Sequence, residues 1–341
     1  MERPKDRDFV ETVEGLLFCV VGYLHPPDRI TAYLKYVPSE EGRWSRDETR
    51  YSRVIPFYHV SQVEKTYDYL RERYPEYIFE CPVSNITVSS VPRDKVKAYY
   101  RPRDRLGEIV EGGPKDELEW KLTDLVTILT GLSGLGVGDL GITGSMLTAS
   151  HSPEFSDMDI TIHGREASIR LKEALLKTRG EESLIQPYNA SKKEDWSTSR
   201  AGRFPLGFAD LMDFAERRWN YGVFRDTYFS LHPVRTDDEI TEEYGENIYR
   251  RIGEVTGRAR VADSSESIYL PAIYRVEDVV SDKAAGATEI VSYEGLFCDM
   301  FEEGETVVFG GSLERVEGKR SHLRVVVGGA GSRPSYIKRA V

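Results

Sequence analysis

The stretch Gly141 to Gly164, GITGSMLTASHSPEFSDMDITIHG, constrains the fold more than any other part of the chain. From Asp157 to His163 polar and apolar residues alternate strictly, with Met158, Ile160 and Ile162 as the apolar set. A period of two is that of a strand with one buried face. The apolar side chains therefore belong to a core. Asp157 and Asp159 share the opposite face, about 6.6 Å apart along the backbone.

The flanking segments supply the rest of a mixed α/β unit. Gly112-Gly113-Pro114 marks a boundary. Beyond it Leu118, Leu122, Leu125, Val126 and Leu129 form one helical stripe, with Pro114 near its start and Gly131 at its end. Val137 to Ile142 reads as a short strand. Arg165 to Thr178 reads as a helix stopped by Gly180. Glu181 to Arg200 reads as a polar loop, Phe208 to Trp219 as a helix and Val223 to Val234 as a strand.

Before the boundary, Phe9 to Val21 and Ile30 to Val37 read as strands joined through His25-Pro26-Pro27-Asp28. Val60 to Tyr74 reads as a helix and Tyr77 to Val91 as further strand. From Ile268 onward β signals return at 268–276, 289–297, 305–309, 312–316 and 323–327, punctuated by glycines as in a small barrel or sandwich. The expected fold class is α+β, with a central mixed α/β domain at 113–245, a β-rich module with one helix at 1–112 and a β module at 246–341. Glu14 to Cys19 (EGLLFC) resembles Glu294 to Cys298 (EGLFC), which reads equally as a duplicated hairpin or as chance.

At 341 residues the chain is long enough for two or three cores. No apolar run reaches the roughly 18–20 residues that span a bilayer. Met1 to Asp8 mixes acids and bases without a signal-peptide layout, so a cytoplasmic protein without membrane contact is expected. Cys19, Cys81 and Cys298 form no CxxC pair and read as reduced thiols. The net charge of −11 argues against broad nonspecific binding to nucleic-acid backbones. Lys95 to Arg105 holds five basic residues and two tyrosines, a mixture able to meet phosphates and bases. Its first reading is a solvated helix end with a turn at Pro102.

The chemistry-bearing set is Gly144-Ser145 with Asp157 and Asp159. Glycine lets a backbone approach closely and serine adds a hydroxyl donor. Paired carboxylates suit Mg²⁺ or Mn²⁺, hard cations that take oxygen ligands. In phosphoryl transfer two such ions about 3.5–4 Å apart clamp the attacking and leaving oxygens. Together these parts define a triphosphate-and-metal site.

An apolar strand, Gly-Ser, a spacer of about ten residues (here Met146 to Ser156), and Asp-apolar-Asp-apolar resemble the signature of the polymerase-β nucleotidyltransferase superfamily. The core resemblance covers roughly 115–240. More loosely, Gly22-Tyr23-Leu24-His25-Pro26-Pro27 and Tyr74-Pro75-Glu76-Tyr77 make the whole chain resemble a group of uncharacterised archaeal predicted nucleotidyltransferases. The resemblance implies that Gly144 and Ser145 hold the β- and γ-phosphates of a nucleoside triphosphate. It implies metals on Asp157 and Asp159, and a third carboxylate on a later strand that helps deprotonate the acceptor.

For that third group Asp226 is the candidate, at the entry of Thr227 to Val234. The strand has no acid in its middle, and His232 is the alternative occupant. Asp210 and Asp213, on a helix, are poorer candidates. His151 and Glu154 in the spacer read as base or ribose contacts or as loop residues. His163 shares the aspartates' face. Arg225 and Arg235 flank the last strand as phosphate partners or surface ion pairs.

Two functions follow. One is Mg²⁺-dependent transfer of a nucleoside monophosphate from a nucleoside triphosphate to an acceptor hydroxyl, on a nucleic-acid end, a protein or a small molecule. The other is a catalytically degenerate module that binds a nucleotide or RNA.

Overall fold

The computed structural model describes residues 3–55, 60–178, 184–328 and 335–340. The architecture is mixed α+β, with several sheets and, among the described residues, seven α-helices. Packing divides the chain into two compact units of three segments each. The first comprises Met1–Pro56, Ser90–Asn189 and Trp219–Thr241, and the second Phe57–Ser89, Ala190–Arg218 and Glu242–Val341.

The first unit contains two sheets. In one, strands Trp44–Arg46, Thr49–Arg53, Arg29–Pro38, Leu17–Val20, Phe9–Thr12 and Val96–Tyr100 lie side by side in that order, all antiparallel. Every residue of Leu17–Val20 is buried, as expected of an apolar run that reads as strand. The other sheet runs Ile185–Gln186, Tyr221–Phe224, Thr227–Val234, Met158–His163, Leu140–Ile142. Within it only Met158–His163 and Thr227–Val234 pair in parallel. Met158, Ile160 and Ile162 are fully buried, so the alternation read from the sequence does set the core face.

Helix Glu117–Ser133 buries Leu118, Leu122, Leu125, Val126 and Leu129 and packs against helix Arg165–Thr178. Its limits differ from those read at Pro114 and Gly131. Asp116 is the N-cap, accepting the Leu118 and Glu119 N–H groups at 2.9 Å. The helix passes through Gly131 and ends where Gly134 turns left-handed at φ 65°. Capping geometry, rather than the mere presence of proline or glycine, fixes both ends. Gly180 lies outside the described residues.

The segment Lys95 to Arg105 also differs from its first reading. Val96–Tyr100 is an edge strand of the first sheet, and Pro102 begins helix Pro102–Gly112 instead of closing a turn after one. Pairing with Phe9–Thr12 holds it as a strand despite its high charge. Val223 to Val234 is two strands, joined by Arg225 and Asp226 at φ 46° and 66°. Positive φ at both central residues is the two-residue hairpin geometry that matches strand twist.

The second unit is built around a ring of strands. Ile248–Glu266, Ala272–Val280, Ala287–Ser292, His322–Val327 and Thr306–Glu317 pair in that order, and the last pairs back with the first. Tyr336–Arg339 pairs with Thr306–Glu317 on its other edge. The 19-residue strand Ile248–Glu266 has no apolar run to announce it, being rich in arginine and glycine. Its long pairing with Thr306–Glu317 holds it instead. Helices Val60–Arg73, Ala190–Ala201 and Phe208–Arg217 complete this unit, the second of them within a stretch that reads as loop. Gly295–Phe297 is a 3₁₀ turn whereas Leu17–Val20 is a strand. The similarity of EGLFC to EGLLFC is therefore one of sequence without a shared hairpin. No helix among the described residues is long and apolar enough to cross a membrane.

Candidate active site

The Gly-Ser turn and the two aspartates meet at one end of the second sheet of the first unit. Gly144–Leu147 is a single helical turn whose first residue has φ 70°. A Cβ on Gly144 would lie 2.9 Å from Asp159 Oδ2. Glycine is thus required for both handedness and space. The Thr143 N–H donates to the Asp159 carbonyl at 2.8 Å. The buried Ser145 hydroxyl donates to Ser156 Oγ at 3.4 Å, one residue before Asp157. These bonds tie the turn to the aspartate strand.

Asp157 is exposed just ahead of that strand, and Asp159 lies within it, half-buried. The nearby Asp159 charge first, and desolvation second, push the Asp157 carboxyl up to about 6. Desolvation also acts to raise Asp159, but His232, Lys35 and Ser230 outweigh it and hold Asp159 below the usual carboxylate range.

Parallel register sets Ser230 opposite Asp159. Ser230 Oγ donates to Asp159 Oδ1 at 2.5 Å, and His232 Nε2 lies 2.8 Å from Ser230 Oγ and 3.5 Å from Asp159 Oδ1. With the serine O–H donating to the carboxylate, His232 Nε2–H is the donor to the serine, a relay that fixes the orientation of Asp159. Burial first and Arg7 second push His232 down to about 4, so it is neutral at pH 7.

Asp226 is not brought to the pair. It sits in the hairpin turn four residues before Ser230, roughly 13 Å of strand rise away. His232, the alternative, is brought there. Arg225 pairs with Asp124 at 2.8 Å, and the Arg235 guanidinium lies over the Tyr23 ring. His163 is buried beside Thr161 Oγ1, and desolvation first, then Arg103 and Lys5, push it down to about 3. Glu154 is exposed, its N–H facing Ser152 Oγ at 3.4 Å.

Sequence reasoning misses the cations that surround the pair. Lys35 acts on both aspartates, Arg53 on both, and Arg7 on Asp159. Arg7 has φ 74°, a left-handed conformation that costs a non-glycine residue of order 1–3 kcal/mol. Its carbonyl accepts the Thr143 hydroxyl at 2.7 Å, next to Gly144. All three come from the N-terminal antiparallel sheet or its entry, far from the motif in sequence. Positive φ at an arginine leaves no sequence signature. The same sheet contributes to a cleft of about 460 Å³ beside Asp157, lined by Arg43, Trp44, Arg53, Phe155, Ser156 and Asp157.

A second polar cluster lies in this unit. Asp116, Glu119 and His151 each offer a ligand atom within 4.8 Å of the others and could hold a metal ion. His151 Nε2 is 2.8 Å from Asp116 Oδ2. The buried Glu119 carboxylate accepts Arg105 at 2.7 Å and the Lys115 N–H at 2.8 Å. Spacing alone gives no hint of this cluster, because its members come from the helix N-cap and from the loop after Gly144-Ser145.

The fold and this site define a mixed α+β protein with a paired-carboxylate, cation-ringed centre. Over 330 residues, 94% of each chain, it is 30% identical to the uncharacterized protein MJ1086 of Methanocaldococcus jannaschii, and it belongs to that protein's family. No family model matches the chain, and no solved structure matches it.

Proposed function

We propose that the chain is a nucleotidyltransferase of the polymerase-β type, using Mg²⁺ or Mn²⁺ to transfer a nucleoside monophosphate from a nucleoside triphosphate to an acceptor hydroxyl. The observation that carries this reading is the close approach of the Gly144 backbone to the Asp159 carboxylate, which leaves no room for a Cβ, at an aspartate pair on which Arg7, Lys35 and Arg53 act. Two carboxylates of which one is raised by the other suit a divalent cation, which relieves their repulsion. Such an ion supplies electrostatic stabilisation at the attacking and leaving oxygens.

The chain's own residues do the rest. Asp157 and Asp159 hold the cation, with Asp159 aimed by the Ser230–His232 relay. Gly144 and Ser145 border the phosphates, and Arg7, Lys35 and Arg53 offset their negative charge. The acceptor oxygen attacks the α-phosphorus and gives its proton to solvent, the bond from that phosphorus to the bridging oxygen breaks, and pyrophosphate leaves.

A specific observation favours the second reading, a nucleotide-binding module without turnover. Ser230 and His232, not an acid, stand where a third carboxylate is expected. Incubation with each α-labelled nucleoside triphosphate, Mg²⁺ or Mn²⁺, and RNA, protein and small-molecule acceptors separates the two. Catalysis gives labelled acceptor and pyrophosphate, both abolished in Asp157→Ala and Asp159→Ala. Metal-dependent binding with no transfer to any acceptor establishes the module. Unchanged pyrophosphate release in both variants sinks the site.

A further inference from the structure

We propose that the cleft beside Asp157 is a nucleobase slot, with Trp44, Phe155, Arg43 and Arg53 receiving the planar ring of the donor nucleotide. This rests on the reading of Asp157 and Asp159 as a metal–triphosphate centre.

The walls are four planar groups in mutual contact. Trp44 meets Phe155 edge to face at 5.7 Å between centroids, and Trp44 in turn meets Tyr36 at 5.4 Å. The Arg43 guanidinium lies 4.5 Å over Phe155, and that of Arg53 lies 4.6 Å over Trp44. Phe155 is 39% exposed, which is ordinary for an apolar group that sits singly on the surface. Here it is not single. Strand Trp44–Arg46 is pinned to the spacer loop by the Ser45 N–H to Ser150 carbonyl bond at 3.2 Å. The two aromatic residues are therefore presented together by elements more than 100 residues apart.

The chemistry selects the ligand. A site for phosphate alone needs donors and no aromatic wall, and a site for an apolar ligand gains nothing from two arginines. Arginines held over aromatic rings present planes on which a heteroaromatic base stacks, and guanidinium N–H groups are donors that meet phosphate or base oxygens; Arg53 also donates to the Tyr36 hydroxyl at 3.4 Å. The cleft's volume lies within the roughly 300–1,000 Å³ of small-molecule sites. Asp157 forms part of its lining, so a base there is continuous with phosphates at the carboxylate pair. Arg53, which acts on Asp157 and Asp159, links the two halves of the site.

Calorimetric titration with Mg²⁺ and either each nucleoside triphosphate or inorganic tripolyphosphate tests this. The wild-type chain is expected to bind at least one nucleoside triphosphate about tenfold or more tightly than tripolyphosphate. Trp44→Leu and Phe155→Ser are expected to weaken nucleoside triphosphate binding roughly 5- to 150-fold, the span of base–aromatic stacking, and to leave tripolyphosphate binding unchanged. Arg43→Ala, at an exposed position, gives a smaller loss of the same kind and supports the slot even where a Trp44 variant misfolds by circular dichroism. Equal wild-type affinity for the two probes, or variants that bind as wild type, overturns the slot and leaves the triphosphate centre standing. Binding of neither probe overturns both.

Discussion

Two acidic clusters in the same unit have opposite electrostatics. Around Asp116, Glu119 and His151 every carboxylate already has partners. Asp116 caps a helix and faces His151, and Glu119 is matched by Arg105. Backbone N–H donation from Glu119, with His151, outweighs desolvation and holds Asp116 below the usual carboxylate range. At Asp157 and Asp159 the first influence on Asp157 is a like charge, and its carboxyl is pushed up instead. Ligating atoms within 4.8 Å of one another are a feature of the first cluster. A like charge as the first influence on a carboxyl at an open cleft belongs to the second, and that is what a divalent cation relieves.

The largest test of this contrast is metal binding itself. Asp157→Asn combined with Asp159→Asn is expected to weaken Mn²⁺ binding, followed by electron paramagnetic resonance, by more than about a hundredfold, beyond the range for disturbing a metal's supporting groups because the ligands themselves are lost. His151→Ala is expected to bind as wild type. Loss of binding in His151→Ala alone would transfer the metal to the other cluster.

Stability should respond in the reverse order. Arg105→Met strands the buried Glu119 carboxylate and is expected to lower the unfolding free energy in urea by about 3 kcal/mol, the cost of breaking a buried pair. Metal binding should be unchanged. A loss below about 1 kcal/mol would mean that the pair is worth no more than a surface one.

The two clusters also predict opposite pH slopes. The folded chain holds the Asp157 proton more tightly than the unfolded chain between its ordinary 3.8 and about 6. That contribution is fully present below 3.8 and is lost as pH rises through 6. Asp116, depressed when folded, contributes above 3.8 and loses its contribution as pH falls through its lowered value. Urea unfolding from pH 3 to 7 should show Asp157→Asn removing part of the decline between pH 4 and 6, with Mg²⁺ flattening the same decline in wild type. Asp116→Asn should cost the same at pH 5 and 7 and less near pH 3. Identical profiles for the two variants would erase the contrast.

The smallest effects are expected outside both clusters. Asp226→Asn and Arg225→Ala touch an exposed turn and one exposed ion pair. Each should change stability by less than about 1 kcal/mol and leave pyrophosphate release within about twofold. A larger loss of release in Asp226→Asn would restore it as the third carboxylate.

Much of the local structure was legible. The alternation of Met158, Ile160 and Ile162 marked a strand and its buried face, and the stripe from Leu118 to Leu129 marked a helix, because both periods are properties of the backbone. Gly144 was legible as a close-approach glycine. Strand Ile248–Glu266 was not, since its arginines and glycines carry no apolar period and its place depends on a distant partner strand. Helix Ala190–Ala201 was missed for a related reason: its polar length hides the burial of Trp196 and Ser197.

The sequence by itself determined that Asp157 and Asp159 lie two residues apart at the start of a strand next to a Gly-Ser turn, because side-chain alternation and glycine's freedom are local. Tertiary structure alone decided what surrounds them. Parallel register brought Ser230 and His232, not Asp226, to Asp159. The N-terminal sheet supplied Arg7, Lys35, Trp44 and Arg53. Those choices depend on pairing and burial between residues 71 or more positions apart, where no short-range pattern reaches.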